Sequence, residues 1–124
     1  MKLLLDTHIF LWWRADDPHL TAAVRRAISR AEDVFVSVVS GWEIAIKISL
    51  GKLRIPSPVE EAVLDSRFSP LPLTFVHAAS VTTLPFHHSD PFDRMLVSQA
   101  QAEQLTIVTA DRKFEPYGVP VMWI

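Results

Sequence analysis

The sequence of 124 residues contains no cysteine. Disulfide bonds, thiolate metal sites and a cysteine nucleophile are therefore excluded together. A chain without cysteine also suits a reducing compartment, where disulfide bonds are rare. Any catalytic chemistry must come from other side chains.

The sequence also lacks a long hydrophobic run. No segment approaches the roughly 20 consecutive apolar residues that span a bilayer, so no membrane segment is predicted. The first 13 residues combine Lys2 with apolar residues, as a secretory signal does, but Asp6, Thr7 and His8 interrupt them after three leucines. Because no small-residue cleavage site follows, the sequence predicts a cytoplasmic protein.

A strong net charge is absent as well. The formal net charge at pH 7 is −2, whereas nucleic-acid-binding domains are often strongly basic. Four of the 14 acidic residues are candidate metal ligands, and the other acidic residues are outnumbered by the 12 basic ones. Bound divalent cations would add positive charge at such a site. The net charge therefore does not exclude a nucleic-acid substrate.

Hydrophobic residues make up 49% of the chain, which excludes a disordered protein. The length fits a single domain over residues 1–124, and no repeat, low-complexity tract or linker divides it. Strand and helix patterns alternate along the chain. Strands are predicted at residues 2–5, 34–39, 71–73, 105–109 and 119–124. Alternation of this kind predicts an α/β fold, with a parallel sheet and helices on both faces.

Three predicted helices carry start signals. Ser57 and Glu60 have the spacing of a capping box, with Pro58 at the first helical position, and the helix is predicted to run to about residue 68. Asp90 fits the N-cap position of a later helix, with Pro91 at its first position. Thr74 is predicted to cap a third helix, which runs to about residue 83.

Four acidic residues lie near the predicted strand ends: Asp6, Glu43, Asp93 and Asp111. Asp6 follows the first strand, and Asp111 follows the strand at 105–109. Glu43 is expected in the first turn of the helix after the second strand, and Asp93 in the first turn of the helix before the fourth. Ligand sites of open α/β sheets lie at the carboxyl ends of the strands. We therefore expect the four carboxyl groups to converge there.

A cluster of carboxylates cannot stay ionised without compensation. Sites built only from oxygen select hard cations such as Mg²⁺ or Mn²⁺. Such cations polarise a phosphodiester, lower the pKa of a bound water and stabilise the leaving oxygen. The pattern therefore favours metal-assisted hydrolysis without a Ser, Cys or His nucleophile, and leaves one or two ions open.

Each acidic residue also has a purely structural interpretation. Asp6 could cap the following helix, and Asp111 could be a turn residue. Asp90 is interpreted first as a cap, and Asp93 at the third helical position could close the same box. Glu43 could favour the helix dipole, but its apolar neighbours predict a largely buried setting, where an idle charge is costly. The joint placement of the acids favours a metal site.

Other candidates are assigned to structural roles. His87 and His88 are adjacent and point apart in most backbones, so a solvated loop is predicted rather than a transition-metal site. His8 either lines the acidic pocket or packs against its neighbours. Three tryptophans are interpreted as core or dimer contacts: Trp12, Trp13 and Trp42.

Four short motifs carry a family resemblance: LLLDTH at residues 3–8, SGWEIAIK at 40–47, DPFDR at 90–94 and VTAD at 108–111. In this order they resemble a PIN-domain protein, and in particular the VapC-type toxins of bacterial type II toxin–antitoxin pairs. The resemblance runs from residue 2 to about residue 118, which is essentially the whole chain.

The resemblance implies a three-layer α/β/α sandwich around a central, mostly parallel sheet. It implies a Mg²⁺- or Mn²⁺-dependent endoribonuclease that cleaves RNA, forms a homodimer and is held inactive by a cognate antitoxin. The family's catalytic and metal-binding acids correspond to Asp6, Glu43, Asp93 and Asp111. Three further residues match positions that support the site: Thr7, Asp90 and Thr109.

Three other functions compete with this one. A phosphatase of the haloacid dehalogenase type needs a second Asp two residues after the first, where this chain has His8. A receiver domain needs an Asp after the second strand and a Lys after a late strand, where this chain has Ser40 and Asp111. A catalytically idle binding module needs none of the four acids.

Overall fold

The computed structural model describes residues 1–124 and contains a five-stranded sheet. The strands are β1 (Lys2–Leu5), β2 (Asp33–Ser37), β3 (Ser69–Leu71), β4 (Thr106–Thr109) and β5 (Val121–Trp123). Their order across the sheet is β3-β2-β1-β4-β5. All four neighbouring pairs are parallel, which confirms the parallel sheet predicted from the sequence.

Six α-helices connect the strands. They are α1 (Thr7–Arg14), α2 (Ala22–Arg30), α3 (Val38–Ser49), α4 (Val59–Asp65), α5 (Phe75–Ser80) and α6 (Pro91–Glu103). Two short 3₁₀ helices lie at Val81–Thr83 and Arg112–Tyr117. None of the helices is long and apolar enough to cross a bilayer.

The central strand β1 separates two hydrophobic clusters. Leu3 and Leu5 belong to one cluster, and Leu4 belongs to the other; all three are fully buried. Successive side chains of a strand point to opposite faces, so the sheet is covered on both sides. The three-layer α/β/α sandwich is therefore confirmed. It fixes the carboxyl end of β1 rigidly in the middle of the molecule.

The second strand ends earlier than predicted. β2 stops at Ser37, whose hydroxyl accepts a hydrogen bond from the Val39 amide at 3.0 Å and caps α3. The β-branched pair Val38 and Val39 therefore begins a helix, because the serine cap satisfies an amide that a strand would otherwise have to pair. Glu43 consequently lies in the second turn of α3, not in the first.

The capping box predicted at Ser57 and Glu60 is wrong. Helix α4 begins at Val59 with Pro58 at the N-cap, and no side chain caps it. Because the helix starts one residue later than predicted, Ser57 precedes the N-cap and cannot reach the amides of the first turn. The predicted caps at Thr74 and Asp90 are confirmed. Strand β3 also lies two residues earlier than predicted, and both β4 and β5 are shorter.

Candidate active site

Asp6 lies at the centre of the site, directly after β1. Its backbone amide donates to the Val108 carbonyl at 3.1 Å and so continues the pairing with β4. The residue is 6% exposed. One carboxylate oxygen accepts from the Ile9 amide at 2.9 Å and caps α1, while the other accepts from the Thr109 hydroxyl. Asp6 is thus both a helix cap and a lining residue of the acidic pocket.

Glu43 reaches the same pocket from α3. Its Oε1 accepts a hydrogen bond from the Thr7 hydroxyl at 2.7 Å, and its Oε2 lies 3.1 Å from the Lys47 ammonium. The Ser40 and Thr7 hydroxyls lie 2.9 Å apart. The neighbouring Trp42 is 60% exposed, so the core interpretation of that tryptophan is wrong. The Glu43 side chain is 12% exposed, which is the largely buried setting predicted, and its polar contacts are with Thr7 of α1 and with Lys47.

Asp93 enters from the first turn of α6. Its Oδ2 lies 2.9 Å from Nε2 of His88, and the two side chains are only 21% and 11% exposed. Asp90 caps the helix through Oδ1, which accepts from the amides of Phe92 and Asp93. Ligand atoms of His88, Asp90 and Asp93 all lie within 4.8 Å of one another. The capping interpretation of Asp90 is confirmed, and it does not remove this residue from the pocket.

The loop predicted at His88 is confirmed, but the side chain is only 11% exposed, so the prediction that it is solvated is wrong. Its imidazole contacts the Asp93 carboxylate in the first turn of α6, on the other side of the N-cap Asp90 in sequence. A histidine two residues before an N-cap, with an acid in the first helical turn, was the available signal. His87 follows the prediction more closely, since it is exposed.

Asp111 follows β4 at the same edge of the sheet. Its Oδ1 accepts from the Lys113 amide at 3.0 Å and caps the 3₁₀ helix Arg112–Tyr117. Its own amide donates to the Thr109 hydroxyl at 3.0 Å. The fully buried Thr109 therefore links Asp111 to Asp6, because its hydroxyl accepts from one residue and donates to the other.

These elements enclose a pocket of about 160 Å³ with no hydrophobic lining residue. The pocket brings together all four predicted acids, with Thr7, His8 and Asp90. Thr109 lies behind it and binds Asp6. The sequence did not predict three of the lining residues, Lys47, His88 and Lys113. The full lining is Asp6, Thr7, His8, Glu43, Lys47, His88, Asp90, Asp93, Asp111 and Lys113.

The carboxyl groups outnumber the lysines in this pocket by five to two. Burial raises the pKa of Asp6, and the hydrogen bonds from Thr109 and Ile9 oppose that rise. Burial also raises the pKa of Asp93 to about 6, against the hydrogen bond from His88, and the nearby charge of Asp90 adds to the rise. Both shifts mean that ionised carboxylates are costly here. A divalent cation would lower that cost, and carboxylate oxygens are the donors that Mg²⁺ and Mn²⁺ prefer.

Comparisons with known proteins agree on one family. The sequence model of the PIN-domain family matches residues 3–119 of this chain. Ribonuclease VapC22 of Mycobacterium tuberculosis is 28% identical over 121 residues, which cover 95% of this chain and 93% of that protein.

Solved structures share the fold at low sequence identity. VapBC2 from Rickettsia felis, bound to a DNA fragment from its promoter, aligns with a TM-score of 0.75 and 16% identity over 98% of both chains. DNA-bound VapBC from Salmonella typhimurium gives a TM-score of 0.69 and 21% identity over 98% of this chain and 97% of that one. FitAcB from Neisseria gonorrhoeae gives 0.66 and 21%, over 97% and 96%.

Proposed function

The chain belongs to the PIN-domain family, and from that premise we propose that it is a metal-dependent endoribonuclease. It would hydrolyse RNA phosphodiester bonds as the toxin of a type II toxin–antitoxin pair. The observation that carries the proposal is the convergence of four acids from separate segments in one polar pocket. The similarity to Ribonuclease VapC22 supports RNA as the substrate.

The carboxylates of Asp6, Glu43, Asp93 and Asp111 would hold Mg²⁺ or Mn²⁺. A divalent cation in such a site polarises a phosphodiester and lowers the pKa of a bound water. The donor set fits this role because its donors are the anionic oxygens that Mg²⁺ prefers. The pocket also holds five carboxyl groups against two lysines, so a cation would reduce the excess of negative charge. The same residues are the proposed catalytic residues.

The surrounding residues orient these ligands. Hydrogen bonds from Thr109 and Thr7 hold the Asp6 and Glu43 side chains in place. Asp111 uses only one carboxylate oxygen for capping, which leaves the other available to bind the cation. Lys47 and Lys113 line the pocket and supply positive charge beside it, which attracts a phosphate backbone.

We further propose that the single domain of residues 1–124 works in the cytoplasm, as a homodimer restrained by a cognate antitoxin. Several large apolar side chains are strongly exposed on the isolated chain: Trp42, Leu50, Phe75, Val76 and Phe86. Exposed apolar surface of this kind is typical of protein interaction sites. The structural neighbours named above include VapBC assemblies.

The test is incubation of the purified protein with total RNA in Mn²⁺, in Mg²⁺ and in EDTA, followed by mapping of the cleaved ends. We expect cleavage at defined positions that requires the cation and is abolished by Asp6→Asn. Asp65→Asn is the matched control, because Asp65 is exposed on α4 outside the pocket. Cleavage that survives Asp6→Asn or EDTA would overturn the proposal.

Expression in a host cell separates the nuclease from an idle binding module. A nuclease toxin arrests growth, and Asp6→Asn relieves the arrest while the protein remains folded. If the folded Asp6→Asn variant arrests growth as strongly as the original protein, the effect comes from binding alone.

A further inference from the structure

We propose that His88 is a positioning residue for the metal site, and that Arg94 and Tyr117 build the loop that presents it. The imidazole holds the Asp93 carboxylate in the orientation that binds the cation. This inference rests on the proposed function, since it concerns the same pocket. It adds a histidine that donates to a ligand, together with the structure that supports it.

The contact itself is short and shielded from water. Nε2 of His88 lies 2.9 Å from Oδ2 of Asp93, and the His88 side chain is 11% exposed. The other oxygen of Asp93, Oδ1, has no hydrogen-bond partner in the protein and is left for a cation. Carboxylates that bind metals are commonly hydrogen-bonded to such a partner, which fixes their orientation.

His88 belongs to an irregular segment, residues 84–89, that Arg94 holds in place. The Arg94 guanidinium donates to the Pro85 carbonyl at 2.9 Å and to the Leu84 carbonyl at 3.4 Å. It also lies over the ring of Phe86, 4.4 Å from the centroid. One buried side chain thus binds three consecutive residues of the segment.

Tyr117 completes the support and reaches His88 directly. Its hydroxyl accepts from Arg94 at 3.2 Å and donates to the His88 carbonyl at 3.4 Å. Its ring also packs edge-on against His87, with the centroids 5.1 Å apart. Arg94 and Tyr117 together therefore hold the backbone carbonyls of Leu84, Pro85 and His88.

The burial of Arg94 points to a specific role. Its side chain forms no ion pair in the structure, and the residue is only 7% exposed. A buried charge without a counterion is costly, and here its partners are carbonyl groups and a phenol hydroxyl. Arg94 directly follows Asp93 in α6. The same helix therefore supplies the Asp93 carboxylate and the arginine that holds the segment carrying His88.

The test is titration of Mn²⁺ into the metal-free protein of residues 1–124, with the free ion measured by electron paramagnetic resonance. We expect His88→Ala to weaken Mn²⁺ binding by about 10- to 100-fold, the usual effect of removing such a partner. His88→Gln should restore most of the affinity, because its amide can donate from a similar position. Tyr117→Phe should weaken binding in the same direction, and His19→Ala, a distant exposed histidine, should not change it.

Three results decide the matter. If the folded His88→Ala variant binds Mn²⁺ as tightly as the original chain, or if His88→Gln is as weak as His88→Ala, the positioning role is wrong. If the original chain binds no Mn²⁺, the metal site of the proposed function fails as well. If His88→Ala does not fold, His88→Asn replaces it, because the shorter amide cannot reach Asp93 from the same backbone position.

Discussion

Replacing Asp93 with asparagine should stabilise the metal-free protein at neutral pH. Burial raises the pKa of this carboxyl group from 3.8 to about 6. A group with a higher pKa in the folded state binds its proton more tightly when folded. The stability that it contributes is complete below pH 3.8 and is lost as the pH rises through about 6. Ionised Asp93 therefore opposes folding at pH 7.5, and the neutral amide of Asp93→Asn does not.

The size of the effect follows from the pKa shift. At 1.36 kcal/mol for each pKa unit, the shift corresponds to at most about 3 kcal/mol. The side chain is 21% exposed, so solvent screening reduces the expected gain to about 1–2 kcal/mol. For a domain of this length the gain corresponds to a rise in Tm of roughly 4–8 °C. The asparagine oxygen can still accept the hydrogen bond from His88.

The assay is urea unfolding in EDTA at several pH values. Linkage predicts that the stability difference is largest near pH 7.5 and falls to about half near pH 5. Asp65→Asn should show no comparable dependence on pH. Excess Mn²⁺ should stabilise the original chain and not Asp93→Asn, because a ligand stabilises only the state that binds it. A variant less stable than the original at pH 7.5, or a difference independent of pH, would refute this reasoning.

Three further predictions concern Thr109, which binds Asp6, and two fully buried residues outside the pocket, Gln99 and Ile44. Thr109→Val removes the hydroxyl that donates to Asp6, so it should lower the free energy of unfolding by about 1–3 kcal/mol in thermal unfolding and abolish RNA cleavage. Thr109→Ser keeps the hydroxyl and should retain both the stability and the cleavage. Gln99→Leu should cost about 1–3 kcal/mol in urea unfolding, because the buried Ser37 hydroxyl, 2.6 Å from Gln99, loses its acceptor. Ile44→Ala should cost about 2–5 kcal/mol by the same assay, as a fully buried side chain does, and should leave Mn²⁺ affinity unchanged in the folded variant.

The sequence was sufficient to predict the fold and the site where the local pattern and the sheet topology agree. Three leucines followed by Asp6 predict a buried strand with an acid at its carboxyl end, and the structure has both. Parallel strands place their carboxyl ends at one edge, so the meeting of Asp6 with Asp111 follows from the strand pattern. The N-cap at Asp90 follows from the proline after it.

The sequence did not predict the structure correctly where a local contact overrode a residue pattern, or where residues distant in sequence contact one another. Val38 and Val39 have strand character, but the Ser37 hydroxyl begins a helix there. The His88 carbonyl accepts a hydrogen bond from Tyr117, 29 residues away, and no local pattern reveals that contact. Lys47 could have been found, because it lies four residues after Glu43 on the same helix face.

The most direct test of the central claim is the rate of RNA cleavage measured at increasing concentrations of free Mn²⁺, beside the binding curve of the same protein. The account predicts that the cleavage rate rises with occupancy of the acidic pocket, and that Asp6→Asn removes both binding and cleavage. Cleavage at full rate without bound cation, or tight binding with no cleavage of any RNA, would contradict it.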